Sequence, residues 1–243
     1  MADMPRSVYI GFDQREAAAF AVAVHSAKRR LTQPIPVHGL VLSSLQHDGI
    51  YIRPTERRGS LLWDTISSAP MSTEHAIARF AVGMLGRSGW VLFMDGDVLV
   101  RASLARLFDE LDPDKAIYCV QHPPMRQDTS PVKMDAQAQL GYPRKWWSSV
   151  FVLNAEHPKN AALNHHLLNS VPGRDLHRFC WLADEDIGAL DPMWNYLIGV
   201  SDPAIEADAK IAHFTLGTPD MPGHARCEFA DEWRKELVAW ASK

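Results

Sequence analysis

The segment VLFMDGDVLV at residues 91–100 limits the possible folds more than any other stretch of the chain. Residues 91–94 are uninterrupted apolar side chains, the mark of a strand covered on both faces rather than one with a wet side. A strand of that kind needs helices packed above and below it. The surrounding sequence supplies them. A strand is expected at residues 8–12, passing directly into a helix with Phe20, Val24 and Leu31 on one side. A second strand near residues 37–42 leads into a polar loop through Arg53, Pro54, Glu56, Arg57 and Arg58, expected to act as a mobile lip. Ser72, after Pro70, is placed to cap a helix whose Ile77, Phe80, Ala81 and Met84 recur at inward spacing, with Gly86 near its end.

Beyond residue 100 the pattern gives a short helix (103–114), a strand (116–121) and a long irregular stretch (122–147) of the kind that is functional or disordered. A strand within 148–158, a helix (159–170), a strand (209–214) and an amphipathic helix (228–240) complete the chain. Strands and helices alternate without repeat or linker, which predicts a single α/β domain over residues 1–243.

Composition removes several classes of function. With 243 residues, 47% hydrophobic, the chain can bury a large core, and a formal net charge of −4 excludes a global basic surface for nucleic acid. No transmembrane segment or signal peptide is visible, and Cys119, Cys180 and Cys227 have no paired spacing, so reduced, mostly core thiols in a cytoplasmic protein are expected.

Asp95 and Asp97 carry the chemistry. Asp95 should emerge at the C-terminal end of its strand, where open α/β sheets place ligands, and side chains at i and i+2 of an extended segment point the same way. Gly96 between them supplies backbone freedom and no side chain to block access. Two adjacent carboxylates repel unless one is protonated or a cation sits between them, and hard divalent ions such as Mg²⁺ or Mn²⁺ prefer oxygen ligands. A turn whose two Asp side chains cap backbone groups is the blander alternative, but the apolar residues on both sides favour the metal. The pair alone fits a sugar-nucleotide transferase or a haloacid-dehalogenase-type phosphatase with Asp95 as nucleophile. About ninety residues of α/β pattern precede it, an awkward place for a nucleophile strand that generally opens its domain.

Taken in order, VYIGFDQREAAAFAVAVHSA, STEHAIARF, VLFMDGDVLV, WWSSVFVLN, LADEDIG and IAHFTLG resemble the stations of the retaining glycosyltransferases of family 8, over roughly residues 8–223. The segments KMD and YPRKWWSS are similar to those of a bacterial and phage-associated branch. The resemblance implies a GT-A-like nucleotide-diphospho-sugar transferase fold, with a mixed, mostly parallel central sheet flanked by helices. It implies that Gly11, Phe12 and Asp13 receive the nucleotide base and ribose, with Arg15 near the ribose. Asp13 is equally well placed as a helix N-cap paired with Glu16. By the same resemblance Arg79, read as lying off the packing face of its helix, grips phosphate or a sugar hydroxyl, and His213 is the third metal ligand beside Asp95 and Asp97. An imidazole there shifts preference from Mg²⁺ toward Mn²⁺.

Ser148 and Ser149 match positions lining the donor sugar, where Trp146 or Trp147 could stack on a pyranose face. Asp184 and Glu185 match a pair beside the anomeric carbon, the catalytic candidates with the donor's own oxygen as a third. The family's phosphate-binding lysine is missing from TLGTPDMPGH, which passes diphosphate contact to backbone N–H groups around Gly217, to Thr218 or to His224. Lys133 and Asp135 are weaker candidates in the long irregular stretch. The expected activity is transfer of a hexose from a nucleoside diphosphate sugar, a UDP-sugar by resemblance, to a hydroxyl-bearing acceptor, with a glycan as one candidate. A noncatalytic nucleotide- or glycan-binding module is the further alternative.

Overall fold

The computed structural model describes residues 4–59, 61–85, 88–123 and 144–243. Strand β1 (Arg6–Gly11) turns through a 3-10 helix (Gln14–Glu16) into α1 (Ala17–Arg30), and β2 (Val37–Leu40) is followed by the short α2 (Leu42–His47). Next come β3 (Thr55–Arg58), β4 (Leu61–Asp64) and β5 (Ala69–Met71). Helix α3 (His75–Ala78), a 3-10 turn (Arg79–Ala81) and α4 (Val82–Leu85) run on as one segment into β6 (Trp90–Met94) and β7 (Val98–Val100). The second half contains α5 (Leu104–Phe108), β8 (Ile117–Cys119), β9 (Val150–Asn154), α6 (His165–Ser170) and α7 (Gly173–His177). It closes with β10 (Ile187–Ala189), β11 (Tyr196–Leu197), β12 (Ile211–His213) and α8 (Ala230–Ala241).

The main sheet has the order β10-β8-β9-β6-β1-β2. β1 is parallel to β2 and β6, and β10 is parallel to β8, whereas β9 runs antiparallel to both its neighbours. The sheet is therefore mixed and mostly parallel. β6 lies between β1 and β9, and its alternate residues enter two different cores. Val91 and Phe93 pack with Ile77, Phe80 and Phe151, while Trp90, Leu92 and Met94 pack with Val8, Ile10 and Ala23. Helices cover both faces, which is why the segment is apolar without alternation. Each fully buried large side chain there contributes about 1.5–3 kcal/mol relative to an exposed one.

After Met94 the chain leaves this sheet. β7 belongs to a second sheet, ordered β11-β12-β7, in which His213 of β12 pairs antiparallel with Val98. The backbone N–H of Phe214 donates to the carbonyl of Asp97 at 2.9 Å, so the register carries His213 back to the Asp95–Asp97 elbow.

Several local expectations are corrected. The polar stretch after Arg53 is no loop but the antiparallel sheet β3-β4-β5. Buried Arg53 anchors it, bonded in a fork to Asp64 at 3.0 and 2.6 Å and donating to the carbonyls of Leu168 and Val171. Pro70 sits in edge strand β5, where a missing N–H is tolerated, so the helix expected from Ser72 starts only at His75. Leu42 opens α2 rather than extending β2, and the helix expected over 159–170 is a 3-10 turn followed by α6, restarted by the Asn164 side chain accepting from Leu167 N. Cys119 is core, but Cys180 is exposed and Cys227 lies between the two extremes. Gly86, Lys133 and Asp135 lie outside the described residues.

Candidate functional site

Asp95 emerges at the C-terminal end of β6, its N–H donating to Ser149 O at 2.9 Å as a continuation of the β6–β9 ladder. A Cβ on Gly96 would stand 2.4 Å from the carbonyl oxygen of Gly11, so only glycine lets the elbow close onto the end of β1. The elbow turns Asp95 and Asp97 toward His213. One ligand atom from each of the three residues lies within 4.8 Å of the others. His213 Nε2 is 3.2 Å from Asp97 Oδ1 and 3.9 Å from Asp95 Oδ2. Two oxygens and one imidazole nitrogen form a donor set suited to Mn²⁺ or Mg²⁺, with Mn²⁺ favoured by the nitrogen.

A neighbouring guanidinium and two imidazoles hold these carboxylates ionised. Arg79 is buried, correcting its expected place off the packing face, and its Nη2 lies 2.8 Å from Asp95 Oδ1. The same guanidinium donates from Nε to Ala76 O at 2.9 Å and from Nη1 to Ser148 O at 2.7 Å, and sits over the Phe93 ring. His75 Nε2 approaches Asp95 Oδ1 at 3.3 Å. Burial alone would raise Asp95, but Arg79, His75 and His213 outweigh it and hold the carboxyl well below the usual carboxylate range. Burial would likewise raise Asp97, but the adjacent His213 outweighs it and lowers the carboxyl. The imidazole of His213 is in turn engaged on its far side, Nδ1 lying 2.9 Å from the amide oxygen of Asn195.

The cluster lies against a cavity of about 730 Å³, within the range typical of small-molecule sites. Of the residues singled out in the sequence, Arg79, Asp95, Asp97 and His213 line it, as do Ser148, Ser149, Gly217 and Thr218. Ser148 Oγ pairs with His177 Nδ1 at 2.7 Å, and Ser149 Oγ donates to Trp146 O at 2.7 Å. The Thr218 hydroxyl donates to Asp220, and its carbonyl accepts from Met221 N–H. Gly217 has φ +142°, and His224 packs against it where a side chain would otherwise lie. Trp146 also lines the cavity, while Trp147 instead donates its indole N–H to His122 O.

Other candidates stand elsewhere. Asp13 accepts from Arg15 N, Arg15 Nε, Arg15 Nη2 and Glu74 N at 2.8–3.1 Å. Those four bonds fill the lone pairs of a carboxylate, so Asp13 works as a cap that ties β1 to α3. Arg15 is spent on Asp13 and on Ser72 O, Phe12 packs edge-on against Phe20, and Gly11 gives room to the His75 ring, 2.5 Å from where a Cβ would be. Asp184 and Glu185 are exposed and outside the cavity lining; Asp184 pairs with Arg144.

Sequence reasoning misses His75, Lys145, Asn195 and the place of Glu16 in the site. Glu16 is visible in the sequence only as half of a cap, yet its buried side chain lines the cavity. Burial, then the charges of Asp97, Asp13 and Asp95, push it up to about 8. Lys145, also buried, belongs to the same lining, its ammonium 4.7 Å from the centre of the Trp146 ring. No local periodicity marks any of these positions; the spatial neighbours that give them meaning are remote in sequence.

The mixed, mostly parallel sheet with its flanking helices has the GT-A fold of solved glycosyltransferases. The chain superposes on the galactosyltransferase LgtC, solved with donor and acceptor sugar analogs, with TM-score 0.56 and 17% identity over 96% of this chain and 95% of that one. GlyE of Streptococcus pneumoniae TIGR4 gives TM-score 0.60 at 14% identity, and the bifunctional glycosyltransferase WbbM gives 0.60 at 14%. They cover 99% and 97% of this chain, which spans only 62% of GlyE and 50% of WbbM. No model of a known protein family matches the sequence. The chain belongs to the family of Protein CDI from Arabidopsis thaliana, with which it is 37% identical over 238 residues, 96% of this chain and 86% of that protein. That relative is a plant protein.

Proposed function

We propose that the chain is a metal-dependent glycosyltransferase of the retaining, family-8-like kind, moving a hexose from a nucleoside diphosphate sugar, a UDP-sugar by the motif resemblance, to a hydroxyl-bearing acceptor. The observation that carries this reading is the convergence of Asp95, Asp97 and His213 at the wall of a 730 Å³ cavity in a GT-A fold. These three residues would hold Mn²⁺ or Mg²⁺, which when bound neutralises charge on the departing diphosphate. Arg79 and His75 keep Asp95 ionised and fixed, so the ligand set is formed before the donor arrives. Lys145 offers the cavity a cation in place of the lysine missing after His213. Trp146 supplies an aromatic face for the sugar.

The position of Asp184 and Glu185 outside the lining favours the donor's own diphosphate oxygen over either carboxylate in the front-face role. Asp95 is clamped by Arg79 and His75, which suits a ligand held still and not the free nucleophile a phosphatase requires. We read residues 1–243 as a single transferase domain acting without nucleic acid; no helix among the described residues is long and apolar enough to cross a membrane. A screen of sugar nucleotides with Mn²⁺, scoring both binding and hydrolysis, tests the reading. Slow hydrolysis of one donor supports transfer. Metal-dependent binding without turnover of any donor would mark a noncatalytic module, and release of phosphate from an aryl phosphate, lost in Asp95→Asn, a phosphatase.

A further inference from the structure

Asn195, in the 3-10 turn Pro192–Asn195 just before β11, is completely buried and belongs to none of the motifs. Its side-chain amide faces three groups: His213 Nδ1 at 2.9 Å on the oxygen, and Ser149 Oγ at 2.9 Å and His122 Nε2 at 3.1 Å on the nitrogen. A primary amide can be turned either way round, so the direction of these bonds needs an independent anchor.

Ser149 provides one. Its hydroxyl lies 2.7 Å from the backbone carbonyl of Trp146, and a carbonyl oxygen only accepts. The single Ser149 proton is therefore committed to Trp146, and toward Asn195 the hydroxyl can offer only a lone pair. Asn195 must present its NH₂ to Ser149 and hence its oxygen to His213. That oxygen accepts a hydrogen bond from His213 Nδ1–H. In the neutral ring, the form that can ligate an ion, the lone pair of His213 is then on Nε2, the nitrogen 3.2 Å from Asp97 Oδ1 and facing the candidate metal position. A fixed backbone carbonyl thus sets a hydroxyl, the hydroxyl sets an amide, and the amide sets a tautomer.

We infer that Asn195 is the positioning residue of this centre: it holds His213 with Nδ1 protonated and the Nε2 lone pair directed at the ion's position. The inference rests on the reading of Asp95, Asp97 and His213 as metal ligands, and it goes beyond that reading by assigning control of ligand competence to a residue that cannot itself reach the ion. Partners of this kind orient ligand imidazoles, and their loss lowers metal affinity by about 10–100-fold.

Two measurements test it. Mn²⁺ affinity, followed by the EPR signal of free Mn²⁺, should fall by about 10–100-fold in Asn195→Leu and recover in part in Asn195→Asp, whose carboxylate still accepts from Nδ1–H although it no longer donates to Ser149 Oγ and His122 Nε2. A purely packing role predicts no such rescue by the charged side chain. Independently, ¹⁵N–¹H NMR of the unaltered protein with Zn²⁺ bound should find the His213 proton on Nδ1. This second result does not depend on the Leu variant folding. Parent-like Mn²⁺ affinity in Asn195→Leu, or a proton on Nε2 with Nδ1 bound to the ion, overturns the inference alone. Failure of the unaltered protein to bind Mn²⁺ overturns the metal reading as well.

Discussion

Arg79→Met tests how the chain tolerates Asp95 at the end of a buried strand. The substitution keeps the apolar contact with Phe93 but removes the guanidinium that lies 2.8 Å from Asp95 Oδ1, between side chains only 7% and 14% exposed. Stripping one partner from a buried ion pair costs about 3–5 kcal/mol, because the remaining charge keeps its desolvation penalty and loses its compensation. For a domain of this size that corresponds to a fall in Tm of roughly 6–20 °C. The lost bonds to Ala76 O and Ser148 O contribute too, and a double-mutant cycle separates them. Asp95→Asn removes the carboxylate charge, so the backbone bonds cancel around the cycle and the coupling energy reports the ion pair. Urea denaturation of the four proteins in EDTA should give a coupling of about 2 kcal/mol or more. Repeating it in Mn²⁺ should rescue Arg79→Met more than the parent, since the ion takes over the neutralising role. An equal cost for Arg79→Met whether or not Asp95→Asn is also present, or a loss below about 1 kcal/mol, would refute the argument.

Three further outcomes follow from the geometry. Arg53→Met should destabilise by about 3–5 kcal/mol in urea, since Asp64 is left buried without its fork, and Asp64→Leu in the same chain should recover part of the loss. Glu16 titrates at about 8 in the folded chain against 4.5 for the free side chain, so its contribution is intact below pH 4.5 and is lost as pH rises toward 8. Glu16→Gln in EDTA should therefore flatten the stability profile across that window, and parallel profiles for the two proteins would contradict the shift. Asp184→Asn and Glu185→Gln should each retain donor hydrolysis within about tenfold of the parent; a loss of about a thousandfold or more in either would restore that carboxylate to the reacting centre.

The strand at residues 90–94 and its acidic elbow are legible in the sequence because full burial on two faces writes itself as an unbroken apolar run, and because adjacent carboxylates demand a reason. His213 is legible as a polar residue ending an apolar strand, although its pairing with Val98 comes from a register that no local period encodes. Arg79 is misplaced by a helical wheel because residues 75–82 are buried on every side, so the segment has no solvent face for the guanidinium to occupy. The β3-β4-β5 sheet reads as a loop since its strands are only three or four residues long, β3 is polar and arginine-rich and β5 carries Pro70, with cohesion supplied by the Arg53–Asp64 fork. Asn195 gives no signal at all: an amide matters only through what it touches, and its partners lie 18, 46 and 73 residues away.

The account stands on one ion held by three residues. Titration of the purified chain with Mn²⁺ in the presence of UDP should show one saturable site per chain, weakened by about a hundredfold in Asp97→Asn and in His213→Ala while both variants remain folded. Absence of that site in the parent protein, or its persistence unchanged in both variants, would contradict the central claim.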